Sequence, residues 1–225
     1  MNHIQPEKPA KRRTEPRDVR RKQLILAAMD SISKRGFSDT TLRHVTEKAN
    51  LSHGVVNYHF ASKEALYDAT MEYLAREYYD LWTKNLDAAP ADPKLQLTAI
   101  IASDFDKKIC GHKKIAVWFA FWGQAKYRPN YLKISNVYDE ERFEKIQEIC
   151  VKLIKEGAYP DLSAESATRT IECLSDGLWL SMMLYPSVTK PTQCLDDFMQ
   201  ALAGLFPKHF TGTQVIQDNA CDVST

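Results

Sequence analysis

The stretch NLSHGVVNYHFASKEAL, residues Asn50–Leu66, decides how the rest of the chain is read. It is a helix-poor segment set between better helix formers. Asn50 is one of the few non-glycine residues that enters the left-handed region at little cost, so a tight turn fits there. Ser52 is an N-cap type, which predicts a short helix over His53–Phe60. Val55, Val56 and Phe60 anchor it, the last two four residues apart on one face. Ser62 then caps a longer helix that opens Lys63-Glu64-Ala65 and extends to about Asn85.

Upstream, Leu24, Ile25, Ala28, Met29 and Ile32 form one apolar stripe, which predicts a first helix over Arg17–Arg35. Gly36 stops it and Phe37 turns back on the core. The segment TTLRHVTEKA gives a second, short helix with Thr41 as its N-cap and Leu42, Val45 and Ala49 inward. Two short helices joined by a tight turn make a helix-turn-helix, whose second helix lies in the DNA major groove.

The residue types suit that task. Ser52 and His53 donate or accept hydrogen bonds at base edges, Gly54 removes bulk, and Val55 suits a thymine methyl. Asn57, Tyr58 and His59 offer hydrogen bonds to phosphate oxygens. Thr41 and Lys63 sit at helix N-termini, where backbone N–H groups favour anions. Arg43, in the first turn of the second helix, joins the same DNA-binding set.

Charge agrees with this placement. The whole chain is near neutral, at +1, yet residues 1–63 hold 13 Lys and Arg against 6 Asp and Glu, a net of +7. Residues 64–225 hold 17 against 23, a net of −6. A basic end on an acidic body assigns the polyanion to the N-terminal part alone.

Other functions find less support. None of the six histidines lies in a nucleophile elbow, a His-Glu-x-x-His motif or a phosphate loop, so the chain does not read as an enzyme. The five cysteines are scattered and form no metal-binding pattern, which fits reduced thiols in a cytoplasmic protein with no metal and no cofactor. No apolar run reaches the length of a membrane span, and the basic N-terminus lacks the apolar region of a secretory signal.

Residues 20–66 strongly resemble the DNA-binding domain of the TetR family of bacterial transcriptional regulators. The resemblance rests on Ala27-Ala28, Gly36-Phe37, Thr41, Val45, Ala49, Ser52, Gly54, His59-Phe60, Lys63 and Leu66. It implies an all-α fold of about nine helices: an N-terminal three-helix helix-turn-helix domain and a larger helical domain for ligand binding and dimerisation. It also implies a homodimer on a near-palindromic operator of double-stranded DNA. Asn50 stands where the family usually has glycine, and Asn57 where tyrosine is common.

The expected organisation is a disordered basic tail over 1–15, the DNA-binding domain over 16–64, the ligand-binding and dimerisation domain over 65–210, and a flexible tail over 211–225. After the DAAPADP break, further helices are expected at Pro93–Ile109, Lys113–Lys126, Pro129–Glu156, Ala164–Tyr185 and Pro191–Phe206. The Ala164–Tyr185 helix is apolar on two faces, so it is packed on both. With the last helix it suits a four-helix dimer interface.

In AVWFAFWGQAKY, Trp118, Phe121, Trp122 and Ala125 recur on one helical face. Such a stripe is ordinarily core. However, Trp179 lies beside Asp176, and Asp104 and Phe105 lie on one face of the preceding helix, with Asp106 adjacent. Aromatic rings with carboxylates are what a quaternary ammonium needs, since ring faces attract the cation and an acid balances it. The segments Phe105-Asp106, VWFAFWGQA and LSDGLWLSMML are similar to a choline-responsive branch of the same family, which controls glycine betaine synthesis. That resemblance implies choline or a related cation as effector, with Asp104, Phe105, Asp106, Trp118, Trp122, Asp176 and Trp179 as candidate ligand-binding residues. Other amines, pyrimidines, drugs or no small-molecule input remain alternatives, and which acid balances the cation stays open.

Overall fold

The computed structural model describes residues 16–211. The tails expected over 1–15 and 211–225 lie outside them, Thr211 excepted. The described residues form nine α-helices and no strand. They are α1 Arg17–Asp39, α2 Leu42–Ala49, α3 His53–His59, α4 Lys63–Ala88, α5 Pro93–Asp104, α6 His112–Trp122, α7 Pro129–Gly157, α8 Ala164–Leu184 and α9 Pro191–Leu205. None of them is long and apolar enough to cross a membrane.

Helices α1 to α3 pack around Leu24, Ala28, Ile32, Val45, Ala49, Val56 and Phe60, all buried. Gly36 adopts φ 77°, a value that other residues rarely adopt, and kinks α1 one turn before its end. Phe37 thereby swings inward against Tyr67 and Phe121, with ring centroids 4.8 and 5.6 Å away. Asn50 does take the left-handed conformation, at φ 51°. Thr41 caps α2 and His44 returns the hydrogen bond to the Thr41 backbone, a reciprocal cap. Ser52 holds the N-cap position of α3 but its side chain makes no capping bond; its hydroxyl is spare. Ser62 caps α4 through the Ala65 N–H at 3.0 Å.

Helix α4 has 26 residues, about 39 Å at the α-helical rise, and links the small bundle to the larger one. There α5, α7 and α4 pack together, α8 lies on α7, and α6 lies chiefly on α1. Two expected helices are shorter than their sequence pattern. Helix α5 stops at Asp104 rather than Ile109. Its last carboxylate is drawn into an internal ion pair, and Asp106 accepts the Lys108 N–H at 2.7 Å in a turn. Helix α6 stops at Trp122 rather than Lys126. Short-range bonds from Gln124 to Phe121 and Tyr127 to Gln124, both 2.9 Å, replace the α-helical pattern.

Between α8 and α9 lies an apolar groove of about 210 Å³ that includes Ile171, Leu174, Leu202 and Leu205. Leu180 and Leu184 on α8 are exposed nearby in sequence. Among the described residues nothing covers Leu180 and Leu184 of α8, or the half-buried Leu174 and Leu205 that rim the groove.

Candidate functional site

Helix α3 is held from below and bare above. Val56 and Phe60 are buried, while Ser52, His53, Gly54, Asn57 and Tyr58 face solvent and Val55 is half-buried. Tyr58 is 72% exposed, an unusual position for an aromatic that serves only its own fold. The helix is braced by α1 and α2. Gln23 donates to the Ala49 carbonyl at 2.7 Å, and the Arg21 guanidinium lies 4.4 Å over the Phe60 ring.

The other residues expected to meet DNA divide in two groups. Thr41 and Arg43 are exposed on α2, although Arg43 also pairs with Glu47 at 2.7 Å. Lys63 begins α4, with its ammonium 5.1 Å from the Tyr67 ring centre. His59 is more inward. Its Nδ1 is buried with no hydrogen-bond partner among the described residues, and burial together with Arg17 and Arg21 lowers its pKa.

The second candidate site is a cavity of about 230 Å³ in the larger bundle. Tyr78 lines it from α4, Asp139, Arg142 and Phe143 from α7, and Glu172, Ser175, Asp176 and Trp179 from α8. Its floor is an ion-pair network. Arg142 reaches the two Asp104 carboxylate oxygens at 3.1 and 2.9 Å, and also pairs with Glu172. The Tyr78 hydroxyl donates to Asp104 at 2.6 Å, Ser175 donates to its other oxygen, and the Trp179 indole N–H donates to its backbone carbonyl at 2.9 Å. Tyr78 and Trp179 stand 5.7 Å apart, centre to centre.

The charge here is unbalanced. Arg142 is the one cation lining the cavity, and it is engaged by Asp104 and Glu172. Asp139 and Asp176 have no ion-pair partner among the described residues. Asp139 and Asp176 are exposed at the rim and Glu172 is half-buried, yet the surrounding protein partly desolvates all three carboxyls and pushes them upward, against the pull of Arg142, Asp176 to about 6. An acid raised this way gains from any cation that enters. Among the described residues no cluster of acids, histidines or cysteines is arranged to hold a metal ion.

Of the candidate ligand residues, Asp176 and Trp179 line this cavity. Asp104 lies beneath it, fully buried and already bonded on both oxygens. Phe105 packs on Phe198 at 6.0 Å and Asp106 caps its turn, neither in the cavity wall. Trp118 stands one layer back, 6.3 Å from Trp179, and Trp122 lies 5.9 Å behind Trp118. The cavity residues that sequence reasoning missed are Tyr78, Asp139, Arg142, Phe143, Glu172 and Ser175. A signal existed on α8, where Glu172, Ser175, Asp176 and Trp179 fall at spacings of three and four, one polar stripe in an apolar helix. Tyr78 carried none, because its role depends on how α4 crosses α8.

A model of the bacterial regulatory proteins of the TetR family matches residues 24–70, and one of the BetI-type transcriptional repressor C-terminal domain matches residues 93–207. The chain belongs to the TetR family, with a BetI-type C-terminal part. It is 33% identical over 164 residues to the HTH-type transcriptional regulator BetI of Burkholderia thailandensis, covering 73% of this chain and 82% of that one. The BetI of Paraburkholderia phymatum is 34% identical, with 73% and 81% covered. A putative transcriptional regulator from Pseudomonas aeruginosa superposes with a TM-score of 0.75 at 25% identity, over 88% of this chain and 97% of that one. A putative regulator from Saccharomonospora viridis, solved in complex with choline, shares the fold with a TM-score of 0.71 at 16% identity, over 80% of this chain and 94% of that one. This BetI-type protein is therefore a transcriptional repressor and not an enzyme.

Proposed function

We propose that this repressor senses choline or a related small quaternary ammonium and controls genes for the osmoprotectant glycine betaine. The observation that carries this reading is the cavity. Aromatic Tyr78, Phe143 and Trp179 stand with three carboxylates around one already engaged arginine. Ring faces attract an alkylammonium by about 0.5–2 kcal/mol each, and an unpaired carboxylate supplies the counter-charge. Its volume lies below the roughly 300–1,000 Å³ of pockets for drug-sized ligands, which favours a small cation. The choline held by the S. viridis regulator supports the same choice.

In this reading residues 16–64 read DNA and residues 65–210 sense and dimerise, in the cytoplasm. Two copies join through the uncovered faces of α8 and α9 and present their α3 helices one DNA turn apart, about 34–36 Å, to a near-palindromic operator. Thr41, Arg43, Ser52, His53, Gly54, Val55, Asn57, Tyr58, His59 and Lys63 form the DNA face. Choline favours a body conformation with a different spacing, and it shifts the equilibrium only by its differential affinity for the two states.

The test is thermal unfolding with choline chloride, followed also by tryptophan fluorescence. Choline at about 100 times its Kd should stabilise the native state by about 2.7 kcal/mol. The conservative Trp179→Phe variant should fold and bind choline more weakly. No shift at millimolar choline sinks the reading.

The reading also sets a pH dependence. Choline carries a fixed charge, so pH acts only through the protein. Asp176 is ionised above about 6 and neutral below it, and a neutral acid cannot balance an ammonium. Choline binding should therefore weaken as pH falls from 8 to 5, approaching about tenfold per unit below the pKa. A Kd that is flat over this range contradicts the role given to Asp176.

A further inference from the structure

Helix α6 breaks a local rule at its start. His112, Lys113 and Lys114 occupy its first turn, where the helix dipole disfavours positive charge, and Gly111 offers no capping side chain. What holds this turn is tertiary. Lys113 Nζ lies 2.6 Å from Asp30 of α1, and Lys114 pairs with Glu77 of α4 and donates to the Lys108 carbonyl.

Asp30 is the unusual partner. Its side chain is only 7% exposed, and it receives Lys34 at 2.8 Å and Lys48 at 3.3 Å as well as Lys113. Lys34 belongs to α1 and Lys48 to α2, so one buried carboxylate joins the two helices that brace the reading helix to the first turn of α6. In its second half α6 carries Trp118, packed on the cavity residue Trp179. Helix α6 itself thus ties the cavity, through Trp179 and Trp118, to Lys113, Asp30 and Lys48 at its start.

We propose that the Asp30–Lys113 pair couples the ligand cavity to the DNA-reading helices, so that a shift of α6 is delivered to α1 and α2 through this carboxylate. The proposal rests on the reading of the cavity as an effector site. It adds a second route beside α4. Lys113 and Asp30 act as positioning residues and touch neither ligand nor DNA. Lys113 suits a device that must let go. Its side chain is 55% exposed, so its release leaves an ammonium in water, while Asp30 keeps two other lysines.

The experiment uses the full chain and a duplex selected by the wild type from random-sequence DNA. The Kd for this duplex is measured with and without saturating choline chloride. The wild-type ratio should lie in the usual range of about 5–150. Lys113→Met and Lys113→Gln should still bind the duplex and still show the choline thermal shift, but with the ratio reduced at least fivefold, toward one. Lys113→Arg should restore it. Lys34→Met, which removes an Asp30 partner without touching α6, should keep the wild-type ratio. A Lys113→Met ratio equal to wild type overturns the proposal, as does an equal loss in Lys34→Met.

A second arm separates this proposal from the choice of ligand. Coupling is reciprocal, so duplex binding should slow amide exchange over residues 113–122 in the wild type and not in Lys113→Met. If choline has no effect on the wild type, the choline reading falls and this arm decides the coupling. Slowing that persists in Lys113→Met, or that is absent in the wild type, overturns it.

Discussion

Replacing Arg142 by methionine should lower the unfolding free energy by about 3–5 kcal/mol, the largest stability loss expected from one side chain in the sensing part. The guanidinium is 4% exposed and Asp104 is fully buried. Methionine fills much of the same space but leaves the Asp104 carboxylate with only neutral donors, Tyr78 and Ser175. An uncompensated buried charge costs far more than the intact pair contributes. The double variant Arg142→Met with Asp104→Asn should therefore recover a large part of the loss, since the neutral amide accepts from one of the two hydroxyls through its oxygen and donates to the other through its NH2. Denaturant unfolding at one fixed protein concentration measures both, the fixed concentration being needed for an associating protein. A loss below about 1 kcal/mol in the single variant, or no recovery in the double, contradicts this picture of the network.

The second large effect lies in DNA binding. Gly54→Ala should strengthen the fold and weaken the function. A Cβ at Gly54 would meet only the Ser52 hydroxyl, at 3.8 Å, an ordinary contact, and the backbone there is ordinary helix. Alanine is favoured over glycine inside a helix by about 0.5–1 kcal/mol, so stability should rise slightly. The added methyl projects from the exposed first turn of α3, where the backbone is proposed to approach base edges. Affinity for the selected duplex should fall by about 5- to 150-fold, the equivalent of losing about 1–3 kcal/mol of base contact. Fluorescence anisotropy beside a melting curve reads both signs at once. Unchanged affinity would mean that α3 does not approach DNA closely at this residue.

The reading head was legible because its signals are local. Asn50, Thr41, Gly36 and the apolar spacing of Val45, Ala49, Val56 and Phe60 each act within a few residues, and the structure follows them. The bare upper face of α3 follows too, since burying Val56 and Phe60 leaves Asn57 and Tyr58 outward on a seven-residue helix. Ser52 departed from expectation only in its side chain, which occupies the cap position without bonding there.

Of the eight residues lining the cavity, two were legible in the sequence. Trp179 and Asp176 were found because an acid beside an aromatic in an apolar helix demands a reason. Asp104 also looked anomalous, but its partner, Arg142, lies 38 residues away on another helix. Trp118 and Trp122 drew notice as aromatics, yet helix spacing gives a face and not its depth. They stand behind the wall that Trp179 forms.

The sequence by itself determined the helices, the turn at Asn50, the polar first turn of α3 and the basic-to-acidic division of the chain. These depend on local backbone preference, periodicity and summed charge, which a linear string carries. The tertiary structure alone decided which carboxylate is spent and which is free. Asp104 became an internal counter-ion because α5 ends facing α7. Asp139 and Asp176 have no ion-pair partner among the described residues because α7 and α8 cross with their polar stripes around a gap. Asp30 became a junction because α6 returns to α1 across 83 residues. Ion pairing depends on distances of a few ångströms between distant segments, and only the packing of the helices sets those.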